Sequence, residues 1–264
     1  VVASLLISGS ISWLYYSDRL VELPLGVFGI AIATVILPAL SAKFSQKNTI
    51  AYKDTLTNAL NIAVIFSLPA MFGLIILSNH IIISLFQYGS FTMNDTLMSS
   101  MSLIAYSIGL PAFILMKVLL TGFFSRQDTK TPVKYGILAV IFNIVMNLSV
   151  LAYYLKNPFP GAHAFLALAT SLSAWLQVIL LYNNLKQSDY INNNIFLAKP
   201  SYQSLFSCII MTIILSYSLI DILEWTKNVY YMRGALLLLY IIFGAGIYAL
   251  VMYLLGYKVK NNYI

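Results

Sequence analysis

Apolar residues in this chain fall into long unbroken runs. Seven runs reach about 20 residues or more, the length a helix needs to cross a bilayer. They are Trp13–Ala42, Thr55–Leu77, Thr96–Phe124, Val133–Leu155, Ala162–Leu185, Tyr202–Ile222 and Tyr231–Leu255. Barrel strands would alternate polar with apolar, and an open sheet edge would strand backbone polar groups in lipid. The pattern therefore predicts an all-α integral membrane protein, a multi-helix bundle. The connections are short. Ser78–Met93 is the longest stretch expected to be non-helical, with its apolar Ile81–Phe86 placed in the outer interface. Gln187–Pro200 is polar and Asn-rich and should separate a core bundle from the last helix pair. Val1–Ile7 is apolar but too short to span, with no basic n-region and no convincing cleavage site. It reads as the tail of a helix rather than a signal peptide, so the chain is expected to be a fragment.

Composition agrees. The 264 residues are 60% hydrophobic and 9% charged, and the mean hydropathy is +0.86. A soluble domain carries about 25% charged residues, so this surface must face lipid. The formal charge of +7 is spread over loops and implies no nucleic acid. Alternate loops hold Lys43, Lys47 and Lys53, then Arg126, Lys130 and Lys134, then Lys186 and Lys199, then Lys258 and Lys260: ten basic residues against three (Lys156, Lys227, Arg233) on the other side. Basic loops stay cytoplasmic. The C-terminus is then expected inside, and Trp13, Tyr15 and Tyr16 at the outer interface, where amphipathic rings are favoured.

The chemistry points away from an enzyme. Cys208 is the single cysteine, in an apolar run, so neither a disulfide framework nor a cysteine metal site is expected. His80 and His163 lack any metal-ligand spacing. There is no Walker A loop, no GxSxG motif and no set of loop carboxylates for a catalytic metal. No cofactor is expected, and transport driven by an ion gradient or by the membrane potential fits better than ATP hydrolysis.

Four ionisable residues fall inside predicted spans: Asp18, Arg19 and Glu22 in the first, Lys117 in the third. Charges at membrane depth cost roughly 2.5–3.5 kcal/mol each on insertion scales and mark function by default. The spacings i,i+3 and i,i+4 let the first three share a helix face. One reading is a wet cavity in which Arg19 takes a phosphate in its planar fork, held by Asp18 and Glu22. The other is an internal ion pair pinning two helices. Pro24, Gly26 and Gly29, with Pro38 further on, mark either a hinge or a static kink. Lys117 either snorkels to the inner interface or faces the cavity as a second phosphate partner. Asn143 and Asn147, i,i+4 on the fourth span, either bond between helices or line an ion site. Arg126, Asp128 and Lys130 read as a topology-setting loop.

The run SGSISWLYYSDRLVELPLGVFGIAIATVILPALS at 8–41 closely resembles the MurJ/MviN family of lipid II flippases. SLFQYGSFT (84–92), GFFSRQDTKTPVK (122–134) and LGYKVK (255–260) resemble the same family in the same order. The resemblance implies two six-helix lobes plus a C-terminal pair, in a MurJ/MATE-like fold. Residues 1–187 would be the second lobe with its first helix truncated, and 188–264 the C-terminal pair with its preceding loop. It further implies translocation of the undecaprenyl-pyrophosphate-linked peptidoglycan precursor from the inner to the outer leaflet by alternating access. That is transport in cell-wall biogenesis and cell shape, in a bacterial inner membrane. The implied partners are lipid II, membrane lipids and the missing N-terminal lobe. Arg19 matches a cavity arginine that binds pyrophosphate, Asp18, Glu22 and Ser12 match positions tied to function, and the last two helices match a groove for the lipid tail. Some members are proposed to bind sodium through positions comparable to Asn143, Asn147 and Thr170. Here Asn147 replaces an acidic ligand, and the ligand from the truncated helix is missing. Two other classes remain: a non-transporting remnant or partner subunit, and an exporter of another lipid-linked saccharide or a drug.

Overall fold

The computed structural model describes residues 2–191 and 198–257. Lys258 and Lys260 of the charge count, the last residues of the LGYKVK run, and 192–197 of the Asn-rich segment lie outside the described residues.

After a short 3-10 turn at Val2–Leu5, the chain enters α1 (Ser10–Pro24) through Gly9, which has φ +98°. A Cβ at Gly9 would come within 2.6 Å of the Trp13 ring. Past Pro24 the helix widens into a π-turn at Leu25–Ile30 and continues as α2 (Ala31–Ser45). Together these make one 36-residue helix, about 54 Å long at 1.5 Å per residue. Lys47, at φ +54°, turns the chain back. Asn48 then caps α3 (Thr49–Ile76) by accepting from Ala51 N.

The stretch expected to be non-helical from Ser78 to Met93 instead contains α4 (Ser78–Phe86), a nine-residue helix whose Ser78 and His80–Ser84 are buried. It packs on α5, α10 and α3. A capping box of Thr92 and Asp95 starts α5 (Met93–Phe124). Then come α6 (Lys130–Lys156), α7 (Ala162–Gln187), α8 (Lys199–Ser218), the single turn α9 (Ile222–Lys227) and α10 (Tyr230–Leu254). Among the described residues seven helices, with α1 and α2 counted as one, are long and apolar enough to span a membrane. No strand occurs among the described residues. The all-α membrane architecture stands, with boundaries shifted by a few residues at most spans.

α5 is the hub, packed by α7, α3, α1 and α2. Its tightest joint, with α7, is built from small residues. The Ser171 hydroxyl donates to Ala105 O at 2.7 Å, and a Cβ at Gly109 would lie 2.5 Å from Ser171 Oγ. Without a hydrophobic drive between helices in lipid, such close backbone approach supplies the dispersion contacts. Leu56, Leu60, Leu103, Leu110, Ile114 and Phe123 fill the core around this joint.

The last helices are tied to the rest at two levels. On one side Trp225 of α9 is fully buried. Its indole donates to Ser84 Oγ at 3.0 Å and its ring meets His80 at 4.7 Å, while His80 Nε2 lies 3.1 Å from Ile220 O. At the second level Tyr248 OH donates to Ile65 O at 2.8 Å and sits 2.9 Å from Ser204 Oγ. That carbonyl would normally take the amide of residue 69, which is Pro69 and has none. The tyrosine satisfies the group the proline frees, as membrane helices require of their neighbours.

Candidate functional site

The site grows from one face of α1. Residues 12, 15, 19 and 22 recur at near-helical spacing, and Ser12, Tyr15, Arg19 and Glu22 are all exposed. The opposite positions Trp13, Ser17 and Val21 are buried. Ser17 anchors that inner face by donating to Ser99 O on α5 at 2.7 Å. Trp13, expected at the outer interface, is buried instead. Its indole donates to Asp95 Oδ1 at 2.8 Å and its ring stands 4.9 Å from His163. The partner lies 82 residues away, so nothing local in the sequence signals it.

Arg19 projects from the open face. Its Nη1 lies 2.6 Å from Glu22 Oε2, with the two side chains 57% and 50% exposed. Its guanidinium carbon sits 5.0 Å from the Tyr15 ring centroid. The guanidinium is thus gripped from both directions along its own helix, by a carboxylate one turn on and an aromatic ring one turn back. Asp18 is exposed beside it with no hydrogen-bonded partner among the described residues. Of the two carboxylates expected to hold the fork, Glu22 does so and Asp18 does not. Tyr15, expected only as an interface ring, is the holding residue that sequence reasoning missed; its i,i+4 spacing to Arg19 was the available signal.

Arg19 lines neither of the two clefts described. The two clefts described are lined by Lys43, Phe44, Lys47, Asn48, Tyr52 and Tyr190, and by Thr129, Lys130, Val133, Lys134, Ile137 and Leu138. Arg19 stands on the outer face of the bundle formed by this chain, open to whatever packs or passes there.

One and a half turns beyond Arg19 the helix loosens. Pro24 cannot donate a backbone hydrogen bond, and the π-turn follows it directly. Gly29 is buried, and a Cβ there would stand 3.0 Å from Leu25 Cδ1 and 3.5 Å from Ile114 Cα. Glycine lets α5 come close at that point. Gly26 has open space around it, so packing does not demand a glycine there.

Lys117 is half-buried on α5 without an ion pair among the described residues. Asn143, Asn147 and Thr170 do come together. Asn147 Nδ2 donates to Asn143 Oδ1 at 2.9 Å, and Asn143 Nδ2 reaches Thr170 Oγ1 at 3.5 Å across the α6–α7 interface. This gives the interhelical bonding arrangement, and Asn147 Oδ1 remains buried without a partner. No group of three or more His, Cys, Asp or Glu that could hold a metal occurs among the described residues.

Comparison with known proteins gives one consistent result. A family model described as lipid II flippase MurJ matches residues 1–241. A probable lipid II flippase MurJ of Vibrio cholerae is 50% identical over 184 residues, covering 70% of this chain and 34% of that protein. The corresponding Haemophilus influenzae protein is 38% identical over 264 residues, covering 98% of this chain and 50% of its own length. A solved structure of lipid II flippase MurJ in an inward closed conformation superposes with a TM-score of 0.75 at 28% identity, over 95% of this chain and 48% of that one. The chain spans half or less of the length of these relatives.

Proposed function

Since the chain belongs to the family of the lipid II flippase MurJ, we propose that it forms one side of a path for the lipid-linked peptidoglycan precursor across the bacterial inner membrane, with Arg19 as its phosphate-binding group. The observation that carries this reading is the pre-held guanidinium on the open face of a membrane-spanning helix. An arginine there suits pyrophosphate because its fork donates two parallel hydrogen bonds and never loses its charge. Glu22 limits the unbalanced positive charge when no substrate is present. Arriving phosphate oxygens compete with the carboxylate for the same N–H groups, so binding is an exchange of partners rather than a new burial of charge. Asp18 and Ser12 border the same face.

The undecaprenyl tail stays in lipid, alongside the groove formed by α8 and α10. No covalent bond is made or broken. Residues 1–187 act as the second transporter lobe and 188–264 as the C-terminal pair with its connecting segment, with the C-terminus cytoplasmic. The Pro24 break and π-turn, with Gly26 and Gly29, form the bend through which α1 moves relative to α2. In this reading the α6–α7 polar triad of Asn143, Asn147 and Thr170 joins helices and is not required for translocation.

The test is a chimera in which this chain replaces the matching half of the Haemophilus influenzae relative. It should rescue a flippase-depleted cell, and Arg19→Ala should abolish rescue at an equal membrane level. Normal rescue by Arg19→Ala would defeat the assignment.

A further inference from the structure

At the α2–α3 elbow, Lys43, Lys47, Asn48, Tyr52 and Tyr190 line a cleft of about 350 Å³, a volume within the range of small-ligand sites. Its aromatic side is fixed to the hub helix. Tyr52 is buried, and its hydroxyl donates to Gly122 O on α5 at 2.7 Å. The Tyr52 ring meets Tyr190 at 5.5 Å and Phe44 at 6.2 Å.

Positive charge gathers here without a matching acid. Lys47 is exposed, and its ammonium has no hydrogen bond or ion pair among the described residues. Lys43 Nζ has a neutral partner, the Thr55 hydroxyl. The Arg126 guanidinium stacks 4.0 Å from the Tyr190 centroid, donates from Nε to Gly122 O at 2.9 Å, and leaves Nη2 buried with no acceptor. Asp189, next to Tyr190, is taken by Lys53, and Asp54 does not line the cleft. Lys47 also stands at φ +54°, in the left-handed position that closes α2 through Asn48 N to Lys43 O at 3.1 Å. Glycine would take that conformation without steric cost, yet the chain places a lysine there.

Setting topology requires basic loops only. It requires neither a cleft nor a tyrosine pair held beside the lysines. Two ammonium groups converging on one space suit a phosphate, whose oxygens accept charge-assisted hydrogen bonds. The surroundings choose the source of that phosphate. Phe44 is 41% and Ile50 73% exposed beside the lysines, and apolar side chains flanking basic ones fit the boundary between headgroups and acyl chains. A water-borne anion has no use for them.

We propose that Lys43 and Lys47, with Asn48 and the Tyr52–Tyr190 pair, form a site for the phosphate of an anionic phospholipid headgroup. Lys43 lies about 36 Å along the α1–α2 helix from Arg19 at 1.5 Å per residue, so the site does not depend on what Arg19 binds. A headgroup seated there ties the end of α2 to α3 and, through Tyr52, to α5. It anchors the far end of the helix that carries Arg19.

The chain in phosphatidylcholine nanodiscs is titrated with spin-labelled phosphatidylglycerol, and the motionally restricted fraction is read. Phosphatidylglycerol should be held in preference to spin-labelled phosphatidylcholine. Lys47→Gln should weaken it about fivefold and the double variant Lys43→Gln/Lys47→Gln about twentyfold, the scale of one surface lysine each. Lys47→Arg should keep it. Lys130→Gln/Lys134→Gln removes the same charge from the other cleft and should change binding less than about twofold. Lys47 is exposed and unbonded, so its single variant decides the matter if the double variant does not assemble. No preference for the anionic lipid, unchanged binding by Lys47→Gln, or an equal loss from the Lys130/Lys134 variant overturns the site. Displacement of the labelled lipid by millimolar inorganic phosphate overturns the headgroup as its occupant.

Discussion

α5 and the α1–α2 helix are neighbours made of similar residues, yet they solve opposite problems. In the most apolar window of α5, 61% of residues are buried, against 17% in α1–α2. α5 spends its sequence on close approach: Ser102, Ala105 and Gly109 face other helices and leave no room for bulk. α1 buries Trp13, Ser17 and Val21 against α5 and leaves charge on its other side. The difference shows where a membrane bundle tolerates ionisable groups. Arg19 and Glu22 sit where a helix is held by one face only, with both side chains half or more exposed.

The comparison can be broken first at the joint. Gly109→Leu places side-chain atoms where Ser171 Oγ already lies within 2.5 Å of the first added carbon. It should cost about 3 kcal/mol or more, seen as loss of folded protein from the membrane fraction. A normal yield and an unchanged melting temperature would show that α5 is not the rigid element. Next comes Arg19→Ala on the open face. Here the melting temperature should stay unchanged while rescue by the chimera is lost, which separates function from scaffold. A clear drop in melting temperature would make the Arg19–Glu22 pair a structural one.

A smaller effect is expected where the last helix meets α3. Tyr248→Phe keeps the ring but leaves Ile65 O without its donor. The cost should be about 1 kcal/mol, read in thermal unfolding, with faster amide exchange around Pro69. The smallest effect is at the Trp225 clamp. Burial holds the His80 imidazole below its ordinary value, partly opposed by the bond to Ile220 O. The packed form is therefore the neutral one. Its stabilisation is complete above about pH 6.5, the unfolded value, and is lost as pH falls through the lowered folded value. Wild-type melting temperature should fall over that acid window, and His80→Gln should flatten the slope.

Much of the architecture was legible in the sequence because lipid imposes one simple rule, a long apolar run for each crossing. α4 escaped that rule. Nine residues are too few to span, and a run such as Ile81–Phe86 looks the same in an interface as in a core. Trp13 misled for a related reason: its composition suits an interface, and only the distant Asp95 and His163 draw it inward. At the candidate site, the i,i+3 pairing of Arg19 with Glu22 follows from helix geometry alone. The division between a bonded Glu22 and an unbonded Asp18 follows from the same geometry, because residues adjacent in sequence do not face each other on a helix.

The bond from Tyr248 to Ile65 has a consequence for biosynthesis. The two residues are 183 positions apart, so α3 leaves the ribosome long before its carbonyl finds its donor. Until α10 has been threaded into the bilayer, the carbonyl freed by Pro69 lacks the tyrosine that caps it. Insertion of the middle of this chain is therefore completed only when its final helix arrives.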